Sequence, residues 1–175
     1  MKQFSNKLRI KIYMKFDKVI FLDIDGVICT IREFNMTHVA KTYLTKYNVY
    51  PFNPKCVKVL NEILEETKAT IVLSSDWKLY FDLEELADIF SINGVKYAPV
   101  IVTPDYYKKH KDKKLEEIRT IEIKDFINEH EINKYVVIDD LDMYNGFNDE
   151  FILCGDNYQG IKKTGLKERI IKKLC

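Results

Sequence analysis

Two aspartates separated by one residue follow a short apolar run, in the segment Asp23-Ile24-Asp25-Gly26. Carboxylates at positions i and i+2 can point into the same space where a strand opens into a loop, and Gly26 allows the chain to turn there. Because two close carboxylates repel each other, a cation is expected between them, and magnesium prefers oxygen ligands. The alternative is a polar strand end with an Asp-Gly turn and no chemistry, and this motif alone leaves both interpretations open.

Polar residues also follow two later apolar runs. Ser74 and Ser75 end one of them, and Asp139 and Asp140 end another. A serine hydroxyl can donate to a phosphate oxygen, although it could instead cap the next helix. Adjacent aspartates after an apolar strand are unfavourable unless they are solvated or share a cation. Arg119 lies between these runs, and its guanidinium would hold a phosphate and screen the carboxylates.

The apolar runs that precede these residues predict a sheet. They occur at residues 19–22, 70–73, 135–138 and 151–153, and such runs favour parallel strands covered on both faces. Between them, apolar residues recur at helical spacing within residues 57–64, 83–90, 115–130 and 166–174. Asn53-Pro54 predicts the start of the first of these helices. The alternation predicts an α/β fold with a doubly wound parallel sheet, in which ligands bind beyond the C-terminal ends of the strands.

Composition indicates the class of protein. The chain has 175 residues, of which 46% are hydrophobic and 31% charged, and this predicts one soluble globular domain over residues 1–175. The formal net charge of +1 gives no global argument for binding nucleic acid or a membrane. Residues 1–13 are basic and are predicted to be an extension or an upstream start before Met14. A transit peptide is the alternative, but the apolar residues there alternate with basic ones and lack a helical pattern.

The cellular location is predicted from features that the sequence lacks. No apolar run has the length of a membrane span or resembles a signal-peptide h-region. The four cysteines form no C-x-x-C pair and no zinc-site spacing, which favours reduced thiols. We therefore expect a cytoplasmic protein that makes no membrane contact, and the oligomeric state is left open.

In order along the chain, the motifs resemble those of the haloacid dehalogenase (HAD) superfamily phosphatases. The four parts are a strand followed by Asp23-Ile24-Asp25-Gly26-Val27, a strand followed by Ser74, a basic residue on a later helix (Arg119), and a strand followed by Asp139-Asp140. They span residues 19–142, and their order is far more specific than any single part. The resemblance implies a HAD-like (Rossmannoid) fold and magnesium as the cofactor.

The resemblance also implies catalytic roles. Asp23 would attack phosphorus and form an aspartyl-phosphate. Asp25 would protonate the leaving oxygen and then activate the water that hydrolyses the intermediate. Ser74 and Arg119 would hold the oxygens of the transferred phosphoryl group.

The metal ligands are implied in the same way. Magnesium would contact Asp23, the main-chain carbonyl of Asp25 and one acid of the Asp139-Asp140 pair. Asp140 is favoured as the direct ligand, with Asp139 as its supporting neighbour. Carboxylate and carbonyl oxygens are the ligands that magnesium prefers.

A closer resemblance is to the HAD domain of Swiss Army Knife RNA repair-like proteins. It is carried by Ser74-Ser75-Asp76-Trp77-Lys78, Arg119-x-x-Glu122-Ile123, the following Phe126-Ile127, the strand before Asp139-Asp140, and Thr164-Gly165-Leu166. Lys78 and Phe126 replace the usual arginine and tryptophan, and lysine lacks the bidentate fork of arginine. This branch is associated by domain context with RNA end repair. Gly26, Ser75 and Lys78 are predicted to contact the substrate.

Two segments bear on substrate size. Residues 28–52 and 92–114 are too short for a large cap domain, which predicts an open site with a minimal cap. Residues 106–114 mix tyrosines with lysines, so they could stack bases and neutralise phosphates, or be a solvated loop. The predicted function is a magnesium-dependent phosphatase acting on RNA or DNA ends. A phosphatase for small metabolites or nucleotides, and a catalytically silent HAD-fold binding module, are the alternatives.

Overall fold

Residues 15–31 and 46–175 are described by the structure, which is a computed structural model. Within these residues, five parallel strands form one sheet in the spatial order β3, β2, β1, β4, β5. The strands are β1 (Val19–Leu22), β2 (Thr70–Leu73), β3 (Ile101–Val102), β4 (Tyr135–Asp139) and β5 (Phe151–Leu153). The predicted N-terminal extension and residues 32–45 of the 28–52 segment lie outside the described residues.

Helices connect the strands. They are α1 (Pro54–Thr67), α2 (Leu83–Ile92), α3 (Leu115–Glu129), α4 (Tyr144–Phe147) and α5 (Leu166–Leu174). Asn53 caps α1, because its side chain accepts a hydrogen bond from the backbone N–H of Lys55. Asp82 and Glu85 form a capping box at the start of α2. None of the helices in the described part of the chain has the length and hydropathy of a membrane span.

The sheet has a hydrophobic core on each face, because alternate residues of a strand point to opposite faces. On one face, Ile20 and Leu22 belong to the cluster formed with α1, α2 and α5. On the other face, Val19 and Phe21 pack with α3, where the rings of Phe21 and Phe126 meet edge to face with centroids 5.8 Å apart. The helices of the described residues cover both faces of the sheet, and polar residues collect at the C-terminal ends of the strands.

The predicted α/β fold class is confirmed, and the four predicted strands and four predicted helices are present. The sequence does not predict β3, because two residues are too few to show a periodic pattern. This strand pairs with β2 at one edge of the sheet. The segment 92–114 contains β3 and a loop, so it adds no large cap to the described residues.

Candidate active site

The strands β1, β2 and β4 bring their C-terminal ends together. They pair in register, so the residues Asp23, Ser74 and Asp139 lie side by side. The Asp23 amide donates to the Ile138 carbonyl at 3.0 Å, and the Ser74 amide donates to the Leu22 carbonyl at 3.0 Å. Backbone hydrogen bonds therefore position these side chains at the C-terminal ends of the strands, which is where α/β sheets bind ligands.

A carboxylate cluster lies at the C-terminal ends of these strands. It consists of Asp23, Asp139 and Asp140. One oxygen from each residue lies within 4.8 Å of the others. Asp23 and Asp139 are buried, and Asp140 is half-buried. Burial raises the pKa of Asp23 well above its usual range, and the Asp139 charge raises it further. Burial and Asp139 also raise the pKa of Asp140 to about 6, so the cluster favours a proton or a cation.

Gly26 holds the loop after β1 against Asp140. Its φ of 70° lies in the left-handed region, which glycine adopts without steric cost. A Cβ added at this position would overlap the Asp140 carboxylate. Glycine is therefore needed both for the backbone conformation and for the close approach. The substrate contact predicted for Gly26 stays a prediction.

Arg119 provides positive charge at the carboxylate cluster. Helix α3 carries its side chain into the site, where the residue is only 4% exposed. The guanidinium donates to Asp139 Oδ2 at 2.8 Å and to Asp76 Oδ1 at 2.9 Å, and it lies 3.4 Å from Asp23 Oδ2. Burial opposes the charge of Arg119, but the Asp23 and Asp139 carboxylates raise its pKa, so it stays protonated. The sequence does not predict the contact with Asp76.

Asp25 is exposed at the opening of the site, where Trp77 holds its side chain. The indole Nε1 of Trp77 donates to Asp25 Oδ2 at 2.8 Å. Partial loss of hydration raises the pKa of Asp25, while the hydrogen bond from Trp77 limits the rise. The Trp77 ring packs against Phe52 and Phe81, with centroids 5.9 and 5.6 Å away. An oriented carboxyl with a raised pKa is suited to giving and taking a proton.

Replacing Trp77 with phenylalanine should impair this arrangement without unfolding the protein. Phenylalanine keeps a ring against Phe52 and Phe81 but cannot donate to Asp25. In the wild type, the hydrogen bond from Trp77 favours the ionised form of Asp25. Without it, the pKa of Asp25 should rise and the pH profile of kcat/KM should move to higher pH. We expect turnover to fall roughly tenfold at neutral pH, the scale of one hydrogen bond to a charged group. If kcat falls but the pH profile does not change, Trp77 contributes only packing and does not set the pKa of Asp25.

The hydroxyls of Ser74 and Ser75 are buried and make no hydrogen bond with the described part of the chain. The Ser75 hydroxyl is near enough to Asp23 to lower its pKa, although it lacks the geometry of a hydrogen bond. Ser75 occupies the N-cap position of the short 3₁₀ turn Asp76–Leu79, but its side chain makes no capping hydrogen bond. Since an unpartnered buried hydroxyl costs about 1–3 kcal/mol, these groups are suited to donating to a bound anion.

Lys78 is held in a buried ion pair with Glu122. Its Nζ donates to Glu122 Oε2 at 2.5 Å, and to Thr103 Oγ1 and the Pro104 carbonyl, both at 2.9 Å. All three ammonium protons therefore have partners. Burial lowers the pKa of Lys78, and Glu122 opposes this change. Lys78 therefore ties the turn after β2 to α3, and the substrate contact predicted for it stays a prediction.

All these residues lie in one region that matches a protein family. The sequence model of the family described as "HAD domain in Swiss Army Knife RNA repair proteins" matches residues 19–166. The chain belongs to this family. The match agrees with the resemblance found from the motifs, and it supports a phosphatase-type function for this HAD domain. Searches among curated proteins and among solved structures gave no significant match.

Most of the predicted site residues of this HAD domain meet at one edge of its sheet. They are Asp23, Asp25, Gly26, Ser74, Ser75, Arg119, Asp139 and Asp140. The motifs that carry the family resemblance include Trp77 and Glu122, but no role is predicted for either residue from the sequence. Trp77 is the single tryptophan of the chain and follows Ser74 and Ser75 closely. This position could have marked it as a site residue. Glu122 lies one helical turn after Arg119, so both side chains reach the same face of α3.

Proposed function

We propose that this HAD domain hydrolyses phosphomonoesters, with magnesium as its cofactor and a covalent intermediate on Asp23. One observation carries the proposal. The buried Asp23 carboxylate lies 3.4 Å from the Arg119 guanidinium and shares a carboxylate cluster with Asp139 and Asp140. A nucleophile, a cation for the transferred group and candidate metal ligands therefore stand at one edge of the sheet. A catalytically silent binding module would have no need for all of them.

In the first step, a carboxylate oxygen of Asp23 attacks phosphorus, and the bond from phosphorus to the leaving oxygen breaks. Asp25 gives its proton to the leaving oxygen, so the leaving group departs as an alcohol. The raised pKa of Asp25 favours the protonated form that this step needs. The products of the step are an aspartyl-phosphate on Asp23 and an ionised Asp25.

In the second step, Asp25 takes a proton from a water molecule whose oxygen attacks the phosphorus of the intermediate. The bond from phosphorus to Asp23 breaks, inorganic phosphate leaves, and the Asp23 carboxylate is regenerated. Asp25 again carries a proton and is ready for the next substrate. The hydrogen bond from Trp77 keeps the Asp25 carboxyl oriented in both steps.

Arg119 and the two serines would hold the phosphoryl oxygens during both steps. The guanidinium of Arg119 is fixed by Asp139 and Asp76, so it needs no reorganisation when the phosphoryl group arrives. Ser74 and Ser75 offer buried hydroxyls that make no hydrogen bond within the described residues. Positioning and charge stabilisation of this kind account for most of the catalysis in phosphoryl transfer.

The carboxylate cluster fits a magnesium ion, because it consists of hard oxygen ligands that repel one another without a cation. Asp139 accepts hydrogen bonds at both oxygens, from Arg119 at Oδ2 and from the Leu141 amide at Oδ1. Asp23, Asp140 and the main-chain carbonyl of Asp25 would therefore hold the ion, and Asp139 would support them. A bound magnesium ion supplies positive charge that offsets the repulsion between the carboxylates and the phosphate.

Removing magnesium should abolish hydrolysis, and adding it back should restore the activity. Calcium should be a poor replacement, because its coordination shell is larger and looser. Asp140→Asn should raise the magnesium concentration for half-maximal activity by at least about tenfold. It should also reduce the rise in melting temperature that magnesium produces in the wild type, a readout that does not depend on turnover. The exposed Asp149→Asn is the matched control, and full activity in excess chelator would exclude the metal.

Nucleic-acid ends are the proposed substrates. The description of the family, which names RNA repair proteins, supports this class. Asp25 is exposed, and the segment 92–114 contains only the short strand β3 and a loop after the end of α2, which suits a substrate too large to enclose. A phosphatase for small metabolites or nucleotides is the second candidate, because the same chemistry would serve it.

The test compares p-nitrophenyl phosphate, mononucleotides, and oligonucleotides with a 3′- or 5′-phosphate, each with magnesium and with chelator. We expect magnesium-dependent hydrolysis, with the highest kcat/KM on a phosphorylated oligonucleotide. A preference for a mononucleotide over every oligonucleotide would favour the metabolite phosphatase. A protein that hydrolyses none of these substrates would be the binding module.

A further inference from the structure

A pocket of about 560 Å³ lies beside Arg119, the residue that contacts the carboxylate cluster. Its walls come from the turn after β2, the loop before α3, and the start of α3. Asp76 and Arg119 line the pocket, and their side chains are joined by the 2.9 Å hydrogen bond that helps to fix the guanidinium. Arg119 therefore links this space to Asp23, whose Oδ2 lies 3.4 Å from the guanidinium. The volume is within the range of pockets that hold small organic ligands.

Two tyrosines that line the pocket are largely exposed. Tyr80 is 74% exposed and Tyr107 is 57% exposed. Tyr106, the neighbour of Tyr107, is used differently, because Lys109 lies over its ring and the His110 ring packs beside it. Exposed aromatic faces next to a phosphate site are platforms on which bases stack. Within the segment 106–114, Tyr107 is therefore the tyrosine whose ring is available to a ligand, whereas the ring of Tyr106 contacts residues of the same segment.

The pocket also contains a lysine that has no acidic partner in the described part of the chain. Lys78 is neutralised by Glu122, and Arg119 is surrounded by aspartates. Lys113 is exposed, lines the pocket and makes no ion pair with an acid among the residues that the structure describes. Its ammonium is consequently available to a phosphate beyond the one at Asp23.

We propose that this pocket binds the terminal nucleoside of a single-stranded nucleic acid whose end phosphate is at Asp23. The base stacks against Tyr80 and Tyr107, and the next phosphate of the strand meets Lys113. This inference deepens the proposed function and rests on it. Stacking tolerates any base, because every base has a π face, so the pocket selects a nucleoside and not a sequence. A free mononucleotide would have no second phosphate for Lys113.

The role of the tyrosines is tested with two matched oligonucleotides that carry the same end phosphate on a normal nucleotide or on an abasic residue. The wild type should have the higher kcat/KM on the strand with the base. Tyr80→Ala and Tyr107→Ala should each reduce this ratio about five- to tenfold, as expected for one lost stacking contact. Tyr97→Ala removes a half-exposed tyrosine near the start of β2, at the other end of the sheet, and should leave the ratio unchanged.

The role of Lys113 is tested by the salt dependence of binding. Asp23→Asn serves as the background, because it should bind a labelled, phosphorylated oligonucleotide without turning it over. Adding Lys113→Ala should make the slope of log Kd against log salt shallower by about 0.7, the value for one phosphate contact to a single strand. Adding Lys172→Ala, which removes an exposed lysine on α5, should leave the slope unchanged.

The outcomes separate this inference from the proposed function. If the wild type hydrolyses p-nitrophenyl phosphate but neither the ratio nor the slope changes in the variants, the nucleoside pocket is wrong and the phosphatase stands. If no phosphomonoester is hydrolysed, the proposed function is wrong. In that case the binding assay still tests the pocket, and equal affinity for the normal and abasic strands would overturn it.

Discussion

Asp23→Asn is expected to abolish phosphatase turnover, with a loss on the order of 10⁴- to 10⁶-fold, as when other enzymes lose their nucleophile. The amide cannot form an aspartyl-phosphate at a useful rate, while Arg119 and Ser74 are still present to bind the phosphate. The measurement is steady-state hydrolysis of p-nitrophenyl phosphate, together with mass spectrometry for a phosphorylated protein. Turnover near the wild-type rate would defeat the assignment of Asp23 as the nucleophile.

A folding defect can be distinguished from this chemical loss by the sign of the stability change. Folding raises the pKa of Asp23, so this carboxyl lowers the stability of the fold at neutral pH, and that cost shrinks as pH falls below the raised pKa towards the unfolded value. Asparagine carries no charge, and Arg119 keeps its hydrogen bonds to Asp139 and Asp76. In chelator at neutral pH, the variant should therefore melt at or above the wild-type temperature, and the difference should shrink at lower pH. A lower melting temperature would mean that its inactivity reflects damage to the fold.

Asp25→Asn is expected to lower turnover by about 10²- to 10⁴-fold, the usual contribution of general acid–base catalysis. The two steps should be affected differently. An activated leaving group such as p-nitrophenol needs little help from an acid, but hydrolysis of the aspartyl-phosphate still needs a base. We therefore expect a burst of p-nitrophenol close to one equivalent, followed by slow turnover, and a phosphorylated Asp23 that mass spectrometry can detect.

The comparison that decides the role of Asp25 uses a poor leaving group. On an alkyl phosphate, Asp25→Asn should also slow the first step, so that neither a burst nor a phosphorylated protein appears. The exposed Asp149→Asn is the matched control and should behave like the wild type on both substrates. Normal rates on the alkyl phosphate in Asp25→Asn would show that another group supplies the proton.

Local sequence patterns predicted much of the fold and of the candidate site. Each of the four predicted apolar runs became a strand, because buried parallel strands need apolar residues on both faces. The polar residues that follow these runs, such as Asp23, Ser74 and Asp139, came together because parallel strands end at one edge of a sheet. The two-residue strand β3 could not be predicted in this way, since it is defined by its pairing with β2 and not by a pattern of its own.

The direction of each side chain was decided only by the tertiary structure. Lys78 follows the same strand end as Ser74, but the turn after β2 directs its ammonium to Glu122, which is 44 residues away in the chain. The indole of Trp77 reaches Asp25 across 52 residues of sequence. Such contacts depend on how α3 and the turn after β2 pack on the sheet. The sequence by itself determined which residue types stand at the strand ends. The packing determined which of them face the candidate site, because hydrogen-bond partners distant in sequence become neighbours only when the layers assemble.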